Sequence, residues 1–127
     1  MDLTIVPQTN FLPSNINDRG SKFLRFDLKF KKQKHSVIRI GKTYADDDSH
    51  AEIFYNFLKE LKEKFSIDQA AAISLIRKYG GGRLKKQKDS VFISEDSIDY
   101  GEEGNREFTK EILEKNLSYK FFIQTWH

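Results

Sequence analysis

Cysteine is missing from all 127 residues. Its absence excludes a disulfide framework, a thiolate zinc site and a cysteine nucleophile. It also fits a reducing compartment, so a cytoplasmic location is expected. Long apolar runs are missing too: nothing approaches the roughly 20 residues of a bilayer-spanning helix. The opening MDLTIVPQTNF lacks the basic and apolar regions of a secretory leader. Membrane partners are therefore not expected. Charge of one sign is also in short supply, because 22 Lys and Arg stand against 19 Asp and Glu. Lysines gather in KFKKQKH (29–35) and RLKKQK (83–88), but Asp46–Asp48 and Glu102–Glu103 interrupt the field. A solvated hairpin or loop accounts for such clusters, and no nucleic-acid partner is expected.

What is present is ordinary globular material. Hydrophobic residues make up 38% of the chain, enough for one modest core, so residues 1–127 read as a single domain. LTIV (3–6) suits a short strand ended by Pro7, and NFLPSNINDRG (10–20) reads as a loop. From Lys22 to Phe30 the pattern alternates, with Leu24, Phe26, Leu28 and Phe30 on one face and Arg25, Asp27 and Lys29 on the other. That is the signature of a half-buried strand. KKQKHS turns the chain, and VIRIG (37–41) reads as a neighbouring strand.

A helix is expected from Ser49 to Phe65. Ser49 and Glu52 have the spacing of a capping box, and Ile53, Phe54, Phe57, Leu58, Leu61 and Phe65 form an apolar stripe. The stretch 66–82 is ambiguous: its alanines favour helix, while ISLIRKY alternates like a strand. VFIS (91–94) reads as a strand. Residues 105–117 read as a second helix with Phe108, Ile112, Leu113 and Leu117 inward, and YKFFIQTW (119–126) as a last strand. Strands and helices mix without regular βαβ alternation, so the expected class is α/β in the broad sense (α+β), a sheet with two packed helices.

His50 falls in the first turn of the expected helix, where backbone N–H groups lack intrahelical partners. Such an end binds anions, phosphate above all. Its dipole favours a neutral imidazole able to take a proton, whereas Asp46, Asp47 and Asp48 favour the charged ring. Equally, His50 lies three, four and seven residues before Ile53, Phe54 and Phe57 and simply continues the apolar stripe. The glycines Gly80, Gly81 and Gly82 form either a tight turn or a loop whose amides approach an anion. Arg83 follows as a forked donor. No Lys-Ser/Thr pair follows the last glycine, so this is not a Walker loop. The chain has no H-E-x-x-H and no G-x-S-x-G, and a zinc deaminase needs cysteines that are absent. His35, in a lysine-rich turn, and His127 are expected to be solvated, and no metal or other cofactor is expected.

The order SHAEIF, YGGGRL, SIDYG (97–101), a helix and a β-prone end in TW resembles the small phosphohistidine phosphatase family, also called the janus or ocnus family. The resemblance implies a mixed sheet of about six strands flanked by two helices, with a strand over 73–78. It implies a monomeric, cofactor-free hydrolase that cleaves the P–N bond of phosphohistidine, and of phospholysine, in partner proteins and releases inorganic phosphate. Position by position, His50 matches the essential histidine, acting as general base or nucleophile. Lys22, the N–H groups of Ala51 and Asp99, Ser97, Arg83 and, more loosely, Lys42 match phosphate-binding positions. Ser49 stands where the family commonly has tyrosine, and Asp99 where it has a small apolar residue. These departures keep a second expectation open, a weak or inactive relative that binds phosphoproteins.

Overall fold

A computed structural model describes residues 3–6, 20–41, 49–95 and 100–124. The alternating segment forms β1 (Ser21–Phe30), but it is buried on both faces rather than one. Leu24, Phe26 and Leu28 enter one core cluster and Phe23 the other, and Arg25 is only 3% exposed. The alternation was legible; the second cover was not, because it comes from residues 80 positions away.

β1 turns directly into β2 (Gln33–Ile40), its antiparallel partner. The turn is only Lys31 and Lys32, both with positive φ (49° and 67°). Two left-handed residues match the twist of paired strands, so the six-residue turn expected over KKQKHS contracts to two. His35 is consequently a strand residue. It is half-buried, and its Nε2 is buried without a hydrogen-bond partner among the described residues, contrary to the expectation of a solvated ring.

Helix α1 (His50–Phe65) matches its expected bounds. Ser49 caps it, its Oγ accepting from the Glu52 N–H at 3.1 Å. Ser66, in the left-handed conformation, ends it by donating its N–H to the carbonyls of Leu61 and Lys62. Ile53, Phe57, Leu58 and Leu61 are buried against the Leu24 face of β1, with the rings of Phe26 and Phe57 stacked at 4.2 Å.

Each reading of the ambiguous stretch holds for part of it. Asp68 caps a short helix α2 (Gln69–Leu75), its Oδ1 accepting from the Ala71 N–H at 2.8 Å. β3 (Ile76–Gln87) then begins at the residue that pairs with Leu28 of β1. A strand over 73–78 is therefore correct only from Ile76, and the described residues hold three helices where two were expected. β4 (Ser90–Ser94) returns antiparallel to β3. Helix α3 (Arg106–Asn116), capped by Asn105, then carries the chain to β5 (Lys120–Ile123), which lies parallel to β4. In α3, Thr109 is buried with Ile112 and Leu113, whereas Phe108 stays 37% exposed instead of turning inward.

The sheet order is β2-β1-β3-β4-β5, mixed, with α1 and α2 on one face and α3 on the other. It has five strands among the described residues rather than six. The LTIV segment is not one of them, although the Ile5 carbonyl accepts from the Ile38 N–H of β2 at 2.7 Å and Val6 is buried. One backbone bond lays this segment along the β2 edge without a ladder. Among the described residues no helix is long and apolar enough to cross a membrane.

Candidate functional site

Lys22 on β1 and Arg83 on β3 are directly opposed in the register. Opposed residues share a sheet face, and Lys22 shares its face with Leu24, against which α1 packs. The sheet thus presents two cations on the side of the helix that begins with His50. The His50 ring is half-buried, and its Nε2 lies 3.0 Å from the Gly82 carbonyl oxygen. A carbonyl can only accept, so Nε2 carries the proton and, in the neutral ring, Nδ1 carries the lone pair.

Burial is the main cause that holds the imidazole below its ordinary pKa of 6.5. The charges of Lys22 and Arg83 push the same way, and hydrogen bonds to the Gly82 and Phe23 backbones oppose them in part. The ring is therefore neutral at pH 7. Around it the cap has already used the Glu52 N–H, and the Ile53 N–H donates to the Ser49 carbonyl. No acceptor is found among the described residues for the Ala51 N–H. A neutral base, two cations and a helix-end donor without an acceptor among the described residues together suit a small anion.

The three glycines serve this site differently from either expectation. They lie inside β3, not in a loop, and none has positive φ; among the described glycines only Gly20, Gly101 and Gly104 do. Their function is close approach. A Cβ on Gly80 would stand 2.6 Å from the Glu102 carbonyl oxygen, and one on Gly82 2.6 Å from that of Glu95. A Cβ on Gly81 would overlap the Phe23 carbonyl. With no side chains in the way, Glu95 and residues 101–103 come against β3, and the Gly81 N–H donates to the Gly101 carbonyl at 2.9 Å.

Arg83 is engaged by protein as well as facing the site. Its Nε lies 3.6 Å from a Glu95 carboxylate oxygen that Lys85 also approaches at 3.5 Å. Lys42, Ser97 and Asp99 lie outside the described residues, as do Asp46–Asp48 and His127. The described residues flanking Ser97 and Asp99 are placed: Glu95 meets Arg83, and the Tyr100 ring stacks on Phe54 at 5.2 Å. Phe54 is one helical turn from His50 and also meets Tyr79 at 5.2 Å, so an aromatic wall stands beside the histidine.

One supporting group escaped sequence reasoning. Glu103, noted above only as part of an acidic pair that interrupts the basic field, is fully buried. It accepts from Arg106 Nη2 at 2.8 Å and from the Thr109 hydroxyl at 2.6 Å. Arg25 donates to the Glu103 carbonyl at 3.1 Å and to Thr109 Oγ1 at 2.8 Å. Arg106 also donates to the Glu95 carbonyl at 2.7 Å, which fixes the start of the segment that follows β4. Nothing in the sequence marks it: Arg25, the partner that reaches it from β1, reads there as one of several polar-face charges beside Asp27 and Lys29. Among the described residues no three His, Asp or Glu side chains gather as metal ligands.

A family model described as the Janus/Ocnus family (Ocnus) matches residues 9–122. The chain belongs to the Janus/Ocnus family. That match spans β1 through β5 nearly to its end, and so includes Lys22, His50, the glycines and Arg83 of this Janus/Ocnus chain. No curated protein matches the chain.

Proposed function

We propose that this Janus/Ocnus protein hydrolyses the P–N bond of phosphohistidine in proteins, with His50 as the reactive group. One observation carries the reading: a neutral imidazole, hydrogen-bonded at Nε2, sits at the N-terminus of α1 beside Lys22 and Arg83. The transferred phosphoryl group carries its charge on peripheral oxygens, so catalysis rests on positioning and electrostatic stabilisation. Lys22 and the Ala51 N–H hold those oxygens, and the helix dipole adds to them.

Nδ1 of His50 then acts in one of two ways. As a general base it takes a proton from a water that attacks phosphorus in line. As a nucleophile it bonds to phosphorus itself, and water cleaves the new P–N bond in a second step. In both routes the substrate imidazole leaves with its bonding pair and takes up a proton, and inorganic phosphate is the product. The wall of Phe54, Tyr79 and Tyr100 suits an aromatic leaving group better than the alkylamine of phospholysine.

Lys22→Ala should raise KM for a phosphohistidine peptide about 10- to 100-fold, since a hydrogen bond to a charged group contributes roughly 1.5–3 kcal/mol. Unchanged steady-state kinetics would remove Lys22 from the site. The hydrolytic reading itself is tested by following phosphate release from the same peptide with the wild-type protein. The partial engagement of Arg83 by Glu95 favours a second reading, a phosphoprotein-binding module. That module would bind the peptide without releasing phosphate.

A further inference from the structure

On the other face of the sheet, a groove of about 640 Å³ opens between the β1–β2 hairpin and α3. Lys29 and Lys34 line it and are directly opposed across the hairpin. Like charges in that position repel. Arg77 and Lys78 of β3 and Lys115 of α3 line the same groove. None of these five cations forms an ion pair among the described residues. The single carboxylate among the described lining residues, Asp27, is already spent: it accepts from Arg25 Nη2 at 3.1 Å and from the Ser36 hydroxyl at 2.9 Å.

The floor between these charges is apolar. Phe108 and Ile112 lie one turn apart on α3 and both line the groove, and Ile5 lines it too. Phe108 and Ile5 are 37% and 46% exposed, two of the six large apolar side chains exposed among the described residues. A basic rim around a partly exposed apolar floor matches a ligand with acidic groups flanking an apolar one. A duplex phosphate backbone supplies the anions but nothing to desolvate Phe108; a single strand, whose bases stack on aromatic rings, is the competitor that the test includes.

We propose that this groove binds an acidic protein segment carrying an apolar side chain, with Lys29, Lys34, Lys78 and Lys115 pairing its carboxylates and Phe108 and Ile112 receiving the apolar group. Binding relieves the Lys29–Lys34 repulsion. The groove shares no residue with the His50 site, so the proposal stands independently of the phosphatase reading.

The test is fluorescence anisotropy of a fluorescein-labelled peptide of alternating glutamate and leucine, titrated with the full chain in low salt. Saturable binding is expected. The exposed double reversal Lys78→Glu/Lys115→Glu should weaken it about tenfold or more, with Phe108→Ala weakening it as well. A control reversal on α1, Lys59→Glu/Lys62→Glu, should leave it unchanged, and thermal melting of each variant checks its fold. The proposal is overturned by any of three results. The glutamine–leucine counterpart binds as tightly, the α1 reversal weakens binding as much as the groove reversal, or a labelled oligothymidylate binds more tightly through the same groove residues.

Discussion

Replacing His50 by alanine is expected to lower phosphate release from a phosphohistidine peptide by about 10²- to 10⁴-fold, the contribution of a positioned proton-transfer group. If the ring is the nucleophile, the loss extends to the uncatalysed background. Stability should change little, because the ring is only half-buried and sits at a helix end already capped by Ser49. His50→Gln sharpens the comparison. Its amide N–H can replace the donor to the Gly82 carbonyl but cannot take a proton. Recovery of activity in the glutamine variant would mean that the ring only braces β3.

The sign of the pH dependence follows from the lowered pKa. The folded state favours the neutral ring, so below pH 6.5 the unfolded chain binds more protons at this position than the folded one. The contribution of His50 to stability is therefore fully present above 6.5 and declines as pH falls through the window beneath it. The acid limb of kcat/KM should likewise lie below 6.5, measured on the free enzyme with subsaturating peptide.

Glu103→Ala should be the most destabilising substitution of a charged residue, at about 3–5 kcal/mol, because it removes one partner of a buried pair and leaves the other uncompensated. Arg106 is 9% exposed and would keep its charge with only carbonyl oxygens to meet it, those of Glu95 and Gly81. Thr109 would lose its carboxylate acceptor. For a chain of this size the thermal midpoint should fall by roughly 10–20 °C. Glu103→Gln keeps the shape and part of the hydrogen bonding, so its loss should be smaller. An alanine variant that melts within a degree or two of wild type would show that the network does not hold Glu95 and residues 101–103 against β3.

The parts of this fold that were legible are those decided within a few residues. Helix α1 declared itself through Ser49, Glu52 and an apolar stripe at helical period. β1 declared itself by alternation, and His50 was placed at a helix end by spacing alone. The parts that were not legible are decided by what lies across the sheet. Glu103 is chemically indistinguishable from Glu102 beside it, yet one is buried and the other exposed because Arg25 arrives from β1, 78 positions away, to join Arg106 three residues on. The glycines were read as a loop for the same reason. Their residue type signals either left-handed backbone or close approach, and only the neighbouring Glu102 and Glu95 carbonyls decide between them. In the stretch 66–82, a helix and a strand meet at Leu75 and Ile76 with no Gly or Pro to mark the join.

The most direct measurement is a histidine-selective NMR titration of the folded protein, with the His50 resonances assigned by comparison with His50→Gln. The expected result is a ring protonated at Nε2 when neutral, titrating below pH 6.5, with an Ala51 amide that shifts on adding inorganic phosphate. A midpoint above 6.5, or a proton resident on Nδ1 in the neutral ring, would contradict the assignment of His50 as the base or nucleophile of a phosphoryl site.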